Sequence, residues 1–211
     1  MFEVWIGDDG ADELATHLAA ALSDLNRSGT AIFFIHGNRD FLLGRGYCQS
    51  AGMELLDEPV ILDSPGARTA LIHGDTLCSD DQDYQRFRRR VRNPTWQARM
   101  LKRPLWWRRL LARMARWASK RRSGVKAADI MDVNTEAVKA CFSELEVQRL
   151  IHGHTHRPAV HDLRIDGKAC QRIVLGDWHG TSGSVLRLRG AEASLMILRR
   201  DSAGKLKLAP I

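Results

Sequence analysis

Cysteine gives little guidance in this sequence: there are four, Cys48, Cys78, Cys141 and Cys170, far apart and never paired as C-x-x-C. That spacing excludes a zinc knuckle and a disulfide framework, and points to reduced thiols in a cytosolic compartment. No apolar run approaches the roughly 18 residues of a membrane span and no secretory leader opens the sequence, so any membrane contact is expected to be peripheral. Internal repeats and low-complexity tracts are absent, and the ordinary globular composition excludes disorder as the default. Acidic residues are outnumbered, 25 Asp and Glu against 32 Lys and Arg, for a formal charge of +7 and a pI near 9.6. The excess points to an acidic partner: phosphate, nucleic acid or an anionic membrane surface. With 211 residues, one domain spanning 1–211 with a helical insertion over about 80–128 is expected.

What is present is a repeated grammar: an apolar run, then His-Gly, then polar ligand types. Leu150 to Pro158 reads L-I-H-G-H-T-H-R-P, Phe34 to Asp40 reads F-I-H-G-N-R-D, and Leu71 to Thr76 reads L-I-H-G-D-T. In an extended segment alternate residues share a side, so His152, His154 and His156 could converge on one point. Neutral imidazole is the commonest nitrogen ligand of divalent transition ions, which makes this a candidate metal site. A His-rich surface turn is the plainer alternative for one such stretch, but three strand ends of the same kind argue against it. Asn38 offers an amide oxygen, and Arg39 a planar donor fork matched to phosphate. His73 is a candidate ligand and Asp75 a candidate partner that fixes its tautomer. His161 and His179 are read as structural or supporting residues.

The order of elements predicts an α/β fold. Leu14, Leu18, Ala21, Leu22 and Leu25 recur at helical spacing between Ala11 and Ser28, and Ala31–Ile35 reads as a strand buried on both faces. Thr69–Ile72 is a second short strand. Residues 80–126 are strongly basic and helical, broken by Pro94 and Pro104 into short helices, with Trp96, Trp106, Trp107 and Trp117 among the arginines. Trp106, Trp107, Arg108 and Arg109 are expected to face a lipid interface. A helix capped by Asn134 runs to Leu145, followed by a strand over Val147–Ile151. Val160–Ile165 and Arg172–Leu175 form a hairpin through Asp166-Gly167, and Ser184–Leu188 and Ala193–Leu198 are two further strands.

With G-N-R-D, G-D-T and G-H-T-H-R-P in this order, the chain resembles the calcineurin-like metallophosphoesterases. I-G-D-D at Ile6, H-G-D-T-L-C at His73 and I-M-D-V-N at Ile130 narrow the resemblance to the family of pyrophosphohydrolases that act on UDP-2,3-diacylglucosamine in lipid A biosynthesis. The resemblance implies a four-layer αββα sandwich with a helical cap and two Mn²⁺ ions about 3.5–4 Å apart that activate water against the pyrophosphate. By position, Asn38, His73 and His154 correspond to ligands of the second metal and His156 to a ligand of the first. Arg39 corresponds to the phosphate-contacting arginine, and Asn38 and His154 also to substrate contacts. Asp81, Tyr84, Ser119, Ser123 and Lys126 fall where the family binds the diacylated sugar and its phosphate; Ser123 stands where a member of the family carries asparagine. The implied partner is a lipid-linked nucleotide sugar, met peripherally at the cytoplasmic face of an anionic inner membrane, without nucleic acid or an obligate protein partner.

The family's pattern opens with a D-x-H strand and a second strand ending in G-D, and this chain begins just beyond them. A mis-assigned start or a truncated sequence is the simpler account, a metal-poor variant the other. Two other functions stay open: a nucleic-acid phosphodiesterase, which the basic insertion would also suit, and an inactive membrane-binding homologue.

Overall fold

The computed structural model describes residues 4–64, 66–123, 132–178, 180, 182–201 and 204–211. The chain divides into two compact units, one made of Phe2–Asp57 and Asp81–Ile130, the other of Glu58–Asp80 and Met131–Ile211. Each is described by itself.

In the first, helix α1 (Glu13–Arg27) begins where the Asp12 carboxylate accepts from the Ala15 amide at 2.8 Å. Its buried face is Ala15 and Ala19 with Leu22 half-buried beside them, while Leu14, Leu18 and Leu25 are exposed, so the expected stripe is packed at Leu22 and not at those three leucines. Strand β1 (Ile32–Ile35) leads through α2 (Arg45–Ser50) to a parallel partner, β2 (Met53–Leu56), in a two-stranded sheet. The expectation that β1 is buried on both faces fails at Phe33, which is 57% exposed. Helix α2 starts at Gly44, which has no side chain to cap it, and the Asp8 carboxylate does so from a distance, accepting from Gly44 N at 2.8 Å and Tyr47 N at 3.0 Å. Helices α3 (Gln82–Val91), α4 (Pro94–Leu101) and α5 (Leu105–Ser123) follow. Pro94 is accommodated as the first residue of α4 behind the Asn93 cap, and Pro104 precedes α5, as prolines at helix starts do.

Trp5, Tyr47, Leu43 and Met100 form the core of this unit, with Trp96, Trp107 and Leu111 packed against it. Two of the residues expected at a lipid interface therefore face the protein, one half-buried and one buried. Trp107 packs half-buried against the core, and Arg108 is only 3% exposed, ion-paired with Asp9 and donating to the Ile6 and Arg103 carbonyls. That side chain is held because the Asp9 carboxylate and two backbone carbonyls accept from it, a largely long-range arrangement that helix periodicity does not reveal. The exposed large apolar residues among the described part of α5 are Trp106, Leu110, Met114 and Trp117, spaced to lie along one face.

In the second unit, β3 (Val60–Ser64), β4 (Ala67–Ile72), β5 (Arg149–His152), β6 (Ala159–Ile165) and β7 (Lys168–Val174) form a sheet in the order β3-β4-β5-β7-β6. The central pairs β4–β5 and β5–β7 are parallel. Strands β8 (Ser182–Arg189), β9 (Glu192–Arg200) and β10 (Leu206–Pro210) make an antiparallel sheet. Helix α6 (Thr135–Leu145) is capped by Asn134, whose side-chain oxygen accepts from Glu136 N and Ala137 N. Side chains alternate across β5: Leu150 packs with Val138 and Phe142 of α6, and Ile151 with Leu195 of β9. Three layers of the αββα pattern, helix, sheet and sheet, thus lie within this unit. Asp166 and Gly167, at φ of 50° and 75°, make the tight turn of the β6–β7 hairpin. The α/β class is as the sequence predicts; α2, β2, β3 and β10 are additions to it.

Candidate metal and phosphate site

Register decides which residues meet. Ile72 of β4 lies beside His152 of β5, and His152 beside Val174 of β7, so three loops leave the carboxyl ends of adjacent parallel strands together. That edge is where open α/β sheets build ligand sites. The first two loops are tied by their backbones, since Gly153 N donates to His73 O at 3.0 Å. His73 Nε2 and His154 Nδ1 face one another at 3.2 Å, with the rings edge to face at 76°. Two nitrogens each about 2.1 Å from a common ion at tetrahedral or octahedral angles are about 3.0–3.4 Å apart, so this pair has the spacing of two ligands. The imidazoles present therefore fit a divalent ion. Among the described residues, no three of His, Cys, Asp and Glu converge as a metal cluster.

The extended-strand picture of three converging histidines is corrected. His154 and His156 have φ of 65° and 55°, a left-handed backbone that swings each side chain away from strand alternation. His152 is 1% exposed and points into the protein. Its Nε2 accepts from the Arg172 guanidinium at 3.2 Å, which has no other role than donor, so its Nδ1 carries the proton and donates to Gly153 O at 3.0 Å. Burial, with Arg172 adding to it, pushes the His152 pKa down to about 4. His152 is thus a neutral wedge under the loop. A Cβ on Gly74, itself at φ +105°, would come within 2.8 Å of its Nδ1, which is why glycine follows His73.

His156 places its Nδ1 3.4 Å from an oxygen of Asp177, in the loop after β7. Sequence reasoning missed Asp177, although an apolar run followed by Gly-Asp repeats the signal used for the other loops. It also missed Glu58, whose carboxylate accepts from His73 N at 2.6 Å and for which no local signal exists. Asp75 is wholly buried in the turn after His73. His161 is pushed below the usual histidine range by burial, with Arg172 adding and Asp132 opposing.

Asn38 and Arg39 belong to the other unit, on the loop after β1. Asp40 shapes that loop by accepting from Gly37 N at 2.5 Å, and its own pKa is raised by burial, which that bond, His36 and Arg92 oppose. The Arg39 carbonyl accepts from Trp5 N at 2.7 Å. Arg92, at the end of α3, donates to the carbonyls of His36 and Gly37 at 3.2 and 2.9 Å, and Gln97 donates to Phe41 O at 3.1 Å. The helical segment therefore holds the backbone that presents Asn38 and Arg39. His36 is a structural residue, its Nε2 donating to Leu43 O at 2.8 Å. Asp81 caps α3, accepting from the amide of Tyr84 at 3.1 Å, which brings these two expected sugar-binding residues together. Lys126, the side chains of Ser119 and Ser123, and His179 lie outside the described residues.

No protein-family model matches the chain. Relatives do. UDP-2,3-diacylglucosamine hydrolase of Cellvibrio japonicus is 51% identical over 84% of this chain and 74% of its own length. The proteins of that name from Serratia proteamaculans and Stenotrophomonas maltophilia are 45% and 46% identical, over 93% and 95% of this chain and 81% and 84% of theirs. Among solved structures, vacuolar protein sorting 29 of Cryptosporidium parvum aligns at a TM-score of 0.45 with 14% identity, over 98% of this chain and 78% of that one, too slight a likeness to carry an argument. At 45–51% identity over 84–95% of its length, the chain belongs to the UDP-2,3-diacylglucosamine hydrolase family.

Proposed function

We propose that this protein hydrolyses the pyrophosphate bond of UDP-2,3-diacylglucosamine, releasing UMP and 2,3-diacylglucosamine 1-phosphate, in lipid A biosynthesis. The observation that carries this reading is identity of 45–51% to hydrolases of that substrate across 84–95% of the chain. His73 Nε2 and His154 Nδ1 would hold a divalent ion, for which Mn²⁺ is our choice, and His156 would hold a second. Bound there, such ions supply Lewis-acid activation of water and neutralise charge developing on the phosphoryl oxygens. The rest is the work of the chain's own residues. His152, kept neutral beneath the loop, and the Gly153–His73 backbone bond hold the two imidazoles in register. Arg39 brings a planar pair of donors suited to phosphate oxygens, and Asn38 an amide oxygen. Asp81 and Tyr84 at the start of α3, with Ser119, Ser123 and Lys126, would take the acylated sugar and its phosphate.

Peripheral attachment to an anionic membrane, on its cytoplasmic face, is part of the same proposal. The exposed stripe Trp106, Leu110, Met114 and Trp117 beside Arg109 and Arg113 supports it, since tryptophan and leucine next to arginine suit the headgroup boundary. The test is UMP release from UDP-2,3-diacylglucosamine by the purified protein supplied with Mn²⁺. Hydrolysis that chelator abolishes is expected; absence of any UMP release with metal present would overturn the reading.

A further inference from the structure

Beside the histidine loop lies a cavity of about 210 Å³ that the reading so far leaves unused. Thr155, between His154 and His156, is in its wall, so it adjoins the loop. Asp132, Arg157, His161 and Arg172 supply its polar lining, and Pro158 and Val174 its apolar surface. Pockets for drug-sized ligands run to about 300–1,000 Å³, so this one would take a single ring system and not a diacylated sugar. Its chemistry narrows the occupant further. Asp132 accepts from Val133 N at 2.8 Å and from Arg157 at 2.5 Å, which leaves its carboxylate two lone-pair sites. One guanidinium nitrogen of Arg157 is used in that bond and one of Arg172 in its bond to His152, so most of the donors on both forks remain. An acyl chain would strand these charges without partners. A bare phosphate would gain from the two arginines but meet the Asp132 carboxylate. A flat ring whose edge carries both acceptors and a donor satisfies all of them, with its faces against Pro158 and Val174.

We propose that this cavity reads the pyrimidine base of the substrate's nucleotide half, a refinement that rests on the hydrolase reading above. Uracil N3–H donates to Asp132, and its ring carbonyls accept from Arg157 and Arg172. In the same register cytosine turns a lone pair at N3 toward the carboxylate and an N4 amino donor toward a guanidinium, so both positions are mismatched, and only a shifted base could donate from N4 to Asp132. A site built on such a bond rejects the analogue that lacks it far more strongly than an apolar pocket would.

The experiment is calorimetric titration of the full chain with UMP, CMP and inorganic phosphate, in the wild type and in Asp132→Asn, whose amide can face either base. UMP is expected to bind at least about ten-fold more tightly than CMP, and Asp132→Asn to bring the two within about three-fold of each other. Equal binding of UMP and CMP by the wild type, which needs no variant to fold, overturns the proposal. So do inorganic phosphate binding as tightly as UMP, no UMP binding, or an unchanged preference in a folded Asp132→Asn. The underlying reading fails separately: a protein that prefers UMP yet releases none from UDP-2,3-diacylglucosamine keeps the base pocket and loses the hydrolase assignment. One that hydrolyses without base preference does the reverse.

Discussion

The same sequence grammar, an apolar strand followed by His-Gly, is supported in two different ways in the two units. After β4 and β5 the loops leave neighbouring parallel strands in the middle of a five-stranded sheet, and backbone bonds run from strand end to strand end, Gly153 N to His73 O and Leu175 N to His152 O, with Glu58 and His152 adding side-chain support. Among the described residues β1 has one partner, and the loop that carries Asn38 and Arg39 is held by its own Asp40, by the Trp5 amide at the Arg39 carbonyl, and by the distant side chains of Arg92 and Gln97. Where the sheet supplies the scaffold, a site tolerates change in remote side chains; where it does not, single distant residues become part of the site. That difference is open to attack from either side.

The largest effect is expected at the centre of the sheet. Leu150, 0% exposed and packed against α6, is expected to cost about 2–5 kcal/mol on truncation to alanine, measured by denaturant unfolding.

Acid is the next lever. The His152 pKa of about 4 lies below the ordinary 6.5, so the unfolded chain takes up the proton first. This group's contribution is complete above about pH 6.5 and is lost as pH falls toward about 4. At about 1.4 kcal/mol per ten-fold in proton affinity the loss is on the order of 3 kcal/mol. Unfolding of wild type and His152→Gln between pH 7 and 4.5 checks it: the wild type's advantage is expected to shrink steadily, and a constant gap would mean that His152 is not held neutral.

On the other side of the comparison, Arg92→Ala removes a charged donor from the His36 and Gly37 carbonyls, a loss of about 1.5–3 kcal/mol. Turnover is expected to fall with it, because Arg39 loses its support. Arg92→Lys recovers only part, since an ammonium lacks the planar fork. If turnover survives Arg92→Ala, the loop is held without α3. The smallest effect is at Phe33, where 57% exposure leaves less than about 1 kcal/mol to lose on truncation to alanine.

The same difference explains what the sequence could disclose. Strands β4 and β5, the Asn134 cap and the Asp166-Gly167 turn are local patterns, and each was legible. That His73 and His154 belong side by side was legible by resemblance and by residue type, and the structure brings their rings together. The left-handed backbone at His154 and His156 was not, because it is imposed by the loop's tie to its neighbour. Nor could spacing show that Arg108 is interior or that Arg92 holds the loop before Asn38, because both depend on acceptors more than 50 positions away. Short strands such as β2 and the edge strand β10 carry too few residues to stand out from their surroundings.

The claim on which the rest depends is that His73 and His154 hold a divalent ion, and the depletion of the free Mn²⁺ electron paramagnetic resonance signal on titration with protein measures it directly. Residues that only support a metal's ligands already change affinity by about 10–100-fold when removed. His73→Ala and His154→Ala are each predicted to weaken Mn²⁺ binding by more than that, with circular dichroism unchanged. Binding by either folded variant at the wild-type affinity would contradict the account.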